Sequence, residues 1–449
     1  MTPPLVPRTM PGWNIAHLCR FLQNPMTFVR DVERECGPVA FFTCGVRRFL
    51  LIAEPELIAQ VLVKQSRQFE KSLAIKSTRR FLGNGLLTAE GADHVRNRRL
   101  MQPAFHMQRV AAYGDSMVQY AEEAQAQWKD GQEIDIAEEM MKLTLRVVGK
   151  TLFNSDTGEV GERVSQAMSV LMNLFPLFQL PFFPWLEHLP LPFVRRMRAA
   201  DATLNEVVLG IIAERHKDNR DEGDLLSMLL NSQEEDGTGL TDEQVRDEVL
   251  TLFLAGHETT GNALAYTWHL LAKHPEAAAK MRDEISTVLG DAAPTIADTR
   301  RLPYTESVIT ESMRLYPPAW IIARGAMEDL ELANMPGVPI PRGTTIMMPQ
   351  ALVHLQERYY DDPLVFRPER WTPEFRDSLP RFAYYPFGGG PRSCIGESFA
   401  WMELILVTAV IARKWKMEPV VPEHKLVLHP SVTLRPRTGV RVKLRRIVQ

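Results

Sequence analysis

The chain has 449 residues, 45% apolar and 24% charged, with a net charge of −3, the balance of a globular protein with a sizeable core. It carries no basic tail or block, so nucleic acid is not an expected partner. Cys19, Cys36, Cys44 and Cys394 form no C-x-x-C pair, and Met1–Trp13 is Pro-rich without the apolar core of a secretory signal; reduced thiols and a cytoplasmic location are expected.

Along the chain, Pro38–Ile52 alternates β-branched and aromatic runs around Gly45 and predicts a hairpin, and Glu54–Gln65 has helical spacing. Helical patterns then dominate: His94–Arg109, Tyr113–Lys129, Ile136–Phe153, Val160–Leu174, Val194–Lys217, Asp242–Lys273 and Pro275–Leu289. Thr241 and Gln244 have the spacing of a capping box. The helix they open is ~48 Å long at 1.5 Å per residue, enough to cross the whole molecule. After Leu302 a helix over Tyr304–Leu315 ends at Pro317-Pro318. Short strands and turns follow to Arg370, then a Gly-rich loop, a final helix over Ile395–Lys414, and strands within Lys425–Leu444. The reading is a mainly α fold with a smaller β-rich lobe, one domain over 1–449. Its β-rich part lies at about 38–55, 320–350 and 425–445, and its helical part at about 94–316 and 395–414.

No run of 18 apolar residues occurs, so no transmembrane anchor is expected. The nearest approach, Leu171–Val194, is interrupted by five prolines, Glu187 and His188. Residues 174–194 are too broken for a helix. Two readings stay open there: a greasy entrance for an apolar substrate that also touches a membrane surface, or a loop tucked onto the core.

Chemistry concentrates in Phe387-Gly388-Gly389-Gly390-Pro391-Arg392-Ser393-Cys394-Ile395-Gly396. The glycines permit unusual backbone angles and close approach to a flat ligand. Cys394 falls at the start of the predicted last helix, where outward amides favour a thiolate. With no second Cys or His at zinc spacing nearby, one-thiolate haem ligation is better supported than zinc; the plain alternative is a small buried core cysteine. Glu258 and Thr259 form a polar insert in an apolar helix, flanked by Gly256 and Gly261. An acid beside an alcohol suits a proton relay, and small residues suit an opened helix groove. His94 with Arg98, and Glu311 with Arg314, lie one turn apart.

These ten residues resemble the haem-binding signature of the cytochrome P450 family, F-x-x-G-x-R-x-C-x-G. In the family's order, Ala255–Thr260 resembles its oxygen-activation stretch, Glu311–Arg314 its E-x-x-R helix and Phe366–Trp371 its Pro-Glu-Arg segment. The resemblance covers most of the chain. It implies the cytochrome P450 fold and haem b, with Cys394 ligating the iron and Phe387, Arg392, Arg324, His94 and Arg98 holding the cofactor. Many relatives have Trp where His94 stands. It implies that Thr259 hydrogen-bonds iron-bound oxygen, that Glu258 relays protons, and that Glu311, Arg314 and Arg370 form a buried structural network. The implied reaction inserts one atom of O2 into a C–H bond of an apolar molecule of the fatty acid, terpenoid or polyketide class. Leu73, Leu86, Leu87, Leu252, Phe253, Ala255, Ala319, Trp320, Ile321 and Ile322 are expected around that molecule, with Leu252 or Phe253 facing the haem. Electrons from NAD(P)H are expected to arrive through a reductase and a ferredoxin or flavodoxin. A peroxygenase, isomerase or dehydratase that needs no reductase is the first alternative, and a non-catalytic haem sensor the second; Glu258-Thr259 argues against the one, the greasy 174–194 segment against the other.

Overall fold

The computed structural model describes residues 6–153, 158–179, 183–218, 224–233, 237–421, 423 and 425–447. Two compact units emerge, each built from separated pieces of chain.

The first unit comprises Met1–Leu73, Thr310–Cys394 and Leu428–Arg435. Its centre is a six-stranded sheet in the order Arg8–Thr9, Val39–Cys44, Arg47–Ile52, Thr345–Met348, Ile322–Ala326, Phe69–Lys71. The predicted hairpin is its second and third strands, turned at Gly45, whose φ of +60° suits glycine. Alternation along the third strand feeds both faces. Leu50 and Ile52 pack with Leu57, Phe69, Ile346 and Met348 on one side. Leu51 packs with Met347 and with Phe28, Val29 and Val32 of the Pro25–Cys36 helix on the other.

The second unit comprises Ala74–Ile309, Ile395–Val427 and Pro436–Gln449, and is mostly helical. Its axis is the Asp242–Lys273 helix, opened by the predicted Thr241/Gln244 capping box and buried along most of its length. The Ile136–Phe153 helix approaches it closely where Gly256 and Gly261 stand. A Cβ on Gly256 would lie 3.0 Å from Val148, and one on Gly261 3.1 Å from both Met141 and Thr144. These glycines therefore serve helix packing, and the helix runs unbroken past them; the opened groove expected there is not seen. The Glu397–Lys414 helix packs on Met107–Ala126, and a three-stranded sheet joins Glu133–Asp135, Arg441–Arg446 and Trp415–Pro419.

Several readings of single elements change, and the expected Tyr113–Lys129 helix spans Met107–Ala126. The expected His94–Arg109 helix spans Gly91–Met101, because Pro103 cannot donate a helical hydrogen bond and a short 3-10 turn over Gln102–Phe105 takes over. In 174–194 the Gly158–Phe178 helix continues through Pro176, and Phe183–Leu186 is a helical turn; residues 180–182 lie outside the described residues. Phe175, Phe178 and Phe183 are buried, which offsets the hydrogen bond Pro176 forfeits, whereas Trp185 is 81% exposed. The Arg80 guanidinium sits 4.8 Å above the Phe183 ring and pairs with Glu187. The segment thus has an anchored side and an outward apolar side.

Candidate active site

In the first unit the Gly-rich loop is fixed by geometry only glycine tolerates. Gly388 and Gly390 have φ of +74° and +73°. A Cβ on Gly390 would lie 1.9 Å from the Leu62 carbonyl oxygen, and one on Gly389 2.5 Å from the Phe382 ring. The Ser393 N–H donates to the Gly390 carbonyl at 3.0 Å and the Cys394 N–H to the Phe387 carbonyl at 2.9 Å. These bonds set Cys394 with its residue exposed. The last helix begins only at Glu397, capped by Gly396, so Cys394 stands two residues before the cap and not at the helix start. The loop's own hydrogen bonds, more than the helix terminus, therefore orient it.

Chemistry narrows what this thiol can hold. Among the described residues no group of three or more His, Cys, Asp or Glu is arranged for a metal ion. A lone exposed thiol fits an iron whose remaining ligands come from a bound macrocycle, and does not fit a zinc ion that needs four protein ligands. Burial pushes the Cys44 thiol up to about 12, so it stays protonated. Arg392 donates to the Phe69 carbonyl at 3.0 Å, and Arg324 stands opposite Lys71 in the sheet register. The Phe69–Lys71 strand thus gathers two of the four predicted carboxylate-binding side chains. Ile322 packs 3.2 Å from where a Gly388 Cβ would stand. Trp320 is buried, its indole N–H donating to the Ser431 carbonyl at 2.9 Å, and Leu73 is 50% exposed. Ala319 and Ile321 are half-buried.

Glu311, Arg314 and Arg370 come together in the same unit. The Glu311 carboxylate accepts from Arg314 Nε and Nη2, both 2.8 Å, from Arg370 Nε at 2.9 Å, from Trp371 Nε1 at 2.9 Å and from the Arg367 N–H at 3.0 Å. Arg314 also donates to the carbonyls of His354 and Pro363. Every charge is paired and hydrogen-bonded, as burial demands.

In the second unit, Ala255 and Thr259 are four residues apart on one helix face. Ala255 is exposed and Thr259 half-buried, as are Arg246 and Gly256, while the rest of the helix from Val245 to Ala272 is buried. The Thr259 hydroxyl donates to the Ala255 carbonyl at 2.7 Å, and Glu258 is buried. Leu252 borders this face. Phe253 is two residues from Ala255, ~200° round the helix, and lines a small cavity with Val164, Val208, Val249 and Leu250. Its side chain therefore packs away from the Ala255 face. His94 is buried and Arg98 half-buried, one turn apart on Gly91–Met101. Leu86 is buried and Leu87 half-buried in the loop before that helix.

Several buried acids escaped the sequence reading. Asp247 and Glu248 are buried on the long helix, and Glu403 is buried on Glu397–Lys414. Burial pushes the Glu403 carboxyl well above the usual carboxylate range, offset in part by the Thr260 hydroxyl. The available signal was an acid inside an apolar helical run, as in Met402-Glu403-Leu404.

A family model described as Cytochrome P450 matches residues 3–443. Cyclooctatin synthase of Streptomyces melanosporofaciens is 35% identical over 93% of this chain and 91% of its own. Pentalenene oxygenase of Streptomyces avermitilis is 36% identical over 90% of this chain and 89% of its own. Among solved structures, a cytochrome P450 haem domain matches with TM-score 0.86 and 26% identity over 99% of both chains. A retinoic acid-bound cyanobacterial relative matches with TM-score 0.88 and 25% identity over 99% of this chain and 100% of that one.

Proposed function

The chain belongs to the cytochrome P450 family and is a haem-dependent monooxygenase that uses O2, and we propose that it oxidises a C–H bond of a cyclic terpenoid. One observation carries the substrate class: relatives at 35–36% identity over nine-tenths of the chain are named for making cyclooctatin and oxidising pentalenene. The family match runs through both units, which supports reading 1–449 as one domain.

When bound, the haem supplies the redox chemistry by which one atom of O2 enters the C–H bond and the other leaves as water. That reduction consumes two electrons and two protons. We assign the electrons to NAD(P)H, delivered by a reductase through a ferredoxin or flavodoxin. The Cys394 sulfur would ligate the iron. Arg324, Arg392 and Arg98 are the candidates that would neutralise the two propionates, since guanidinium groups match carboxylates in geometry and charge, and His94 would hydrogen-bond to them. Thr259 and Glu258 would hold and move those protons, the Thr259 hydroxyl standing on the exposed Ala255 face where it donates to the Ala255 carbonyl. Leu86, Leu87, Leu252 and Ala255 exclude water and hold the apolar skeleton. Trp185 and Leu189, both exposed, support the reading of 174–194 as an apolar entrance that touches a membrane surface. The free thiols support a reducing cytoplasm, and among the described residues no helix is long and apolar enough to cross a membrane.

The test is spectroscopic, then catalytic. Pentalenene added to the ferric protein is expected to shift the Soret band to the high-spin position. With NAD(P)H, a ferredoxin and its reductase, the product gains one oxygen atom. In Cys394→Ala the reduced, CO-bound spectrum loses its thiolate band. No shift with any terpenoid, alongside a shift with small polar compounds, would remove the substrate reading.

A further inference from the structure

Asp247 and Glu248 are 6% and 2% exposed, deeper than carboxylates go unless hydrogen-bonded. Their bonds lead to one short loop. The Asn84 N–H donates to Asp247 Oδ2 at 2.6 Å, and the Leu86 N–H donates to Glu248 Oε2 at 2.8 Å. Two adjacent helix residues thus hold alternate amides of the Gly83–Thr88 segment. Arg246 closes the set, pairing with Asp247 and reaching the Phe81 carbonyl.

Glycine makes the contact possible. Gly83 has φ of +63°, and a Cβ there would lie 2.0 Å from the Asp247 carboxylate. A Cβ on Gly85 would lie 2.3 Å from Thr251 Oγ1 and 2.5 Å from the Asp247 carbonyl oxygen. The loop is also a folded piece in its own right. Thr88 Oγ1 donates to the Gly83 carbonyl at 2.6 Å, the Ala89 N–H donates to the Gly85 carbonyl at 2.8 Å, and Asn97 donates to the Asn84 carbonyl at 3.0 Å. A rigid loop held through two carboxylates moves as a unit if the hold is lost.

The anchor is aimed along the helix. Asp247, Thr251, Ala255 and Thr259 recur every four residues and share one face, with Glu248 and Leu252 beside it. The attachment therefore lies two turns, ~12 Å, before the exposed Ala255. We propose that Asp247 and Glu248 are positioning residues that clamp the Gly83–Thr88 loop to the long helix, so that Leu86 and Leu87 form a fixed wall limiting the size of molecule the enzyme accepts. This rests on the reading above that Leu86 and Leu87 line the substrate space. Carboxylates suit the task because hydrogen bonds to a charged acceptor are about twice as strong as neutral ones.

The experiment uses the ferric holoenzyme and two iron-binding azoles, imidazole and bulky clotrimazole, so it does not depend on the terpenoid assignment. Glu248→Met removes the acceptor at similar volume, and Glu248→Gln keeps one. In Glu248→Met, amide hydrogen exchange over 83–88 rises at least tenfold while the rest of the long helix is unchanged. Clotrimazole affinity changes at least tenfold while imidazole affinity stays within about twofold. Glu248→Gln stays close to the parent in both readouts. If Glu248→Met does not take up haem, Gly85→Ala replaces it, because its Cβ pushes the loop off the helix with both acids intact; it is expected to give the same fast exchange and the same azole split. Parent-like exchange in the tested variant overturns the clamp. Fast exchange with an unchanged clotrimazole-to-imidazole ratio overturns the wall, and a Gln variant as defective as Met overturns the acceptor role. Failure of the terpenoid reading would show separately, as no spin shift with terpenoids in the parent protein.

Discussion

At the scale of single residues, Thr259 and Glu311 make opposite demands. The Thr259 hydroxyl donates only to Ala255 O, a carbonyl of its own helix, so its removal leaves no buried group stranded. Thr259→Ala is therefore expected to fold and bind haem normally while coupling fails: NAD(P)H is still consumed, product falls and peroxide rises. Normal coupling would assign the hydroxyl to the helix alone. Glu311 is different, because five donors converge on it and Arg314 is wholly buried. Glu311→Ala strands two buried guanidinium groups, at about 3–5 kcal/mol. That is a large share of a stability of ~5–15 kcal/mol. Apo or insoluble protein is expected, and a soluble, haem-loaded variant would contradict it. The pairing of Glu311 with Arg314 was visible in their i, i+3 spacing. Trp371 and the Arg367 amide as further donors were not, since they arrive from 60 and 56 residues away.

At the scale of elements, the close helix crossing is that of Ile136–Phe153 with Asp242–Lys273. Gly261→Val would press a branched side chain onto Met141, whose Cα lies 3.3 Å from the Cβ position. Overpacking of this kind costs about 1–3 kcal/mol. The urea midpoint should fall with little change in slope; an unchanged midpoint would mean the helices separate freely. Elements with long periodic faces were legible: Ile136–Phe153, Asp242–Lys273 and Pro275–Leu289 have the bounds their patterns predict. Short or interrupted ones were not. The Asn14–Gln23 helix starts without a side-chain cap, and Leu225–Leu230 has only 6 residues, too few for a period to register. Pro176 read as a breaker, yet burial of its neighbours carries the helix past it. The Cys394 loop was legible because glycine is required at fixed positions. The clamp was not, because it joins residues 162 and 163 apart.

At the scale of the whole molecule, stability against pH should reflect two buried groups with opposite shifts. His354 is held neutral: burial, and then the Arg314 charge, lower its pKa from 6.5 to about 3, and its Nε2 accepts the Tyr385 N–H at 3.0 Å. The unfolded chain binds that proton and the native chain does not. The His354 contribution is thus present above about 6.5 and lost as pH falls toward 3, at up to ~1.4 kcal/mol per pH unit. Glu403 has the reverse sign. Its native pKa lies well above 4.5, so the native state binds the extra proton. Its contribution is full below about 4.5 and is lost as pH rises toward the native value. Below about 4.5 acid destabilises through His354 alone; from about 4.5 upward the Glu403 slope opposes it, until each group has passed the upper of its two values. Surface carboxylates tilt the whole curve, so the informative quantity is the difference between parent and variant. Glu403→Gln should match the parent's slope below about pH 4.5 and gain on it steadily above, in urea unfolding measured from pH 4 to 9. A parallel pair of curves above pH 4.5 would mean that Glu403 is ionised in the folded enzyme, and that the charge must be balanced by a partner beyond Thr260.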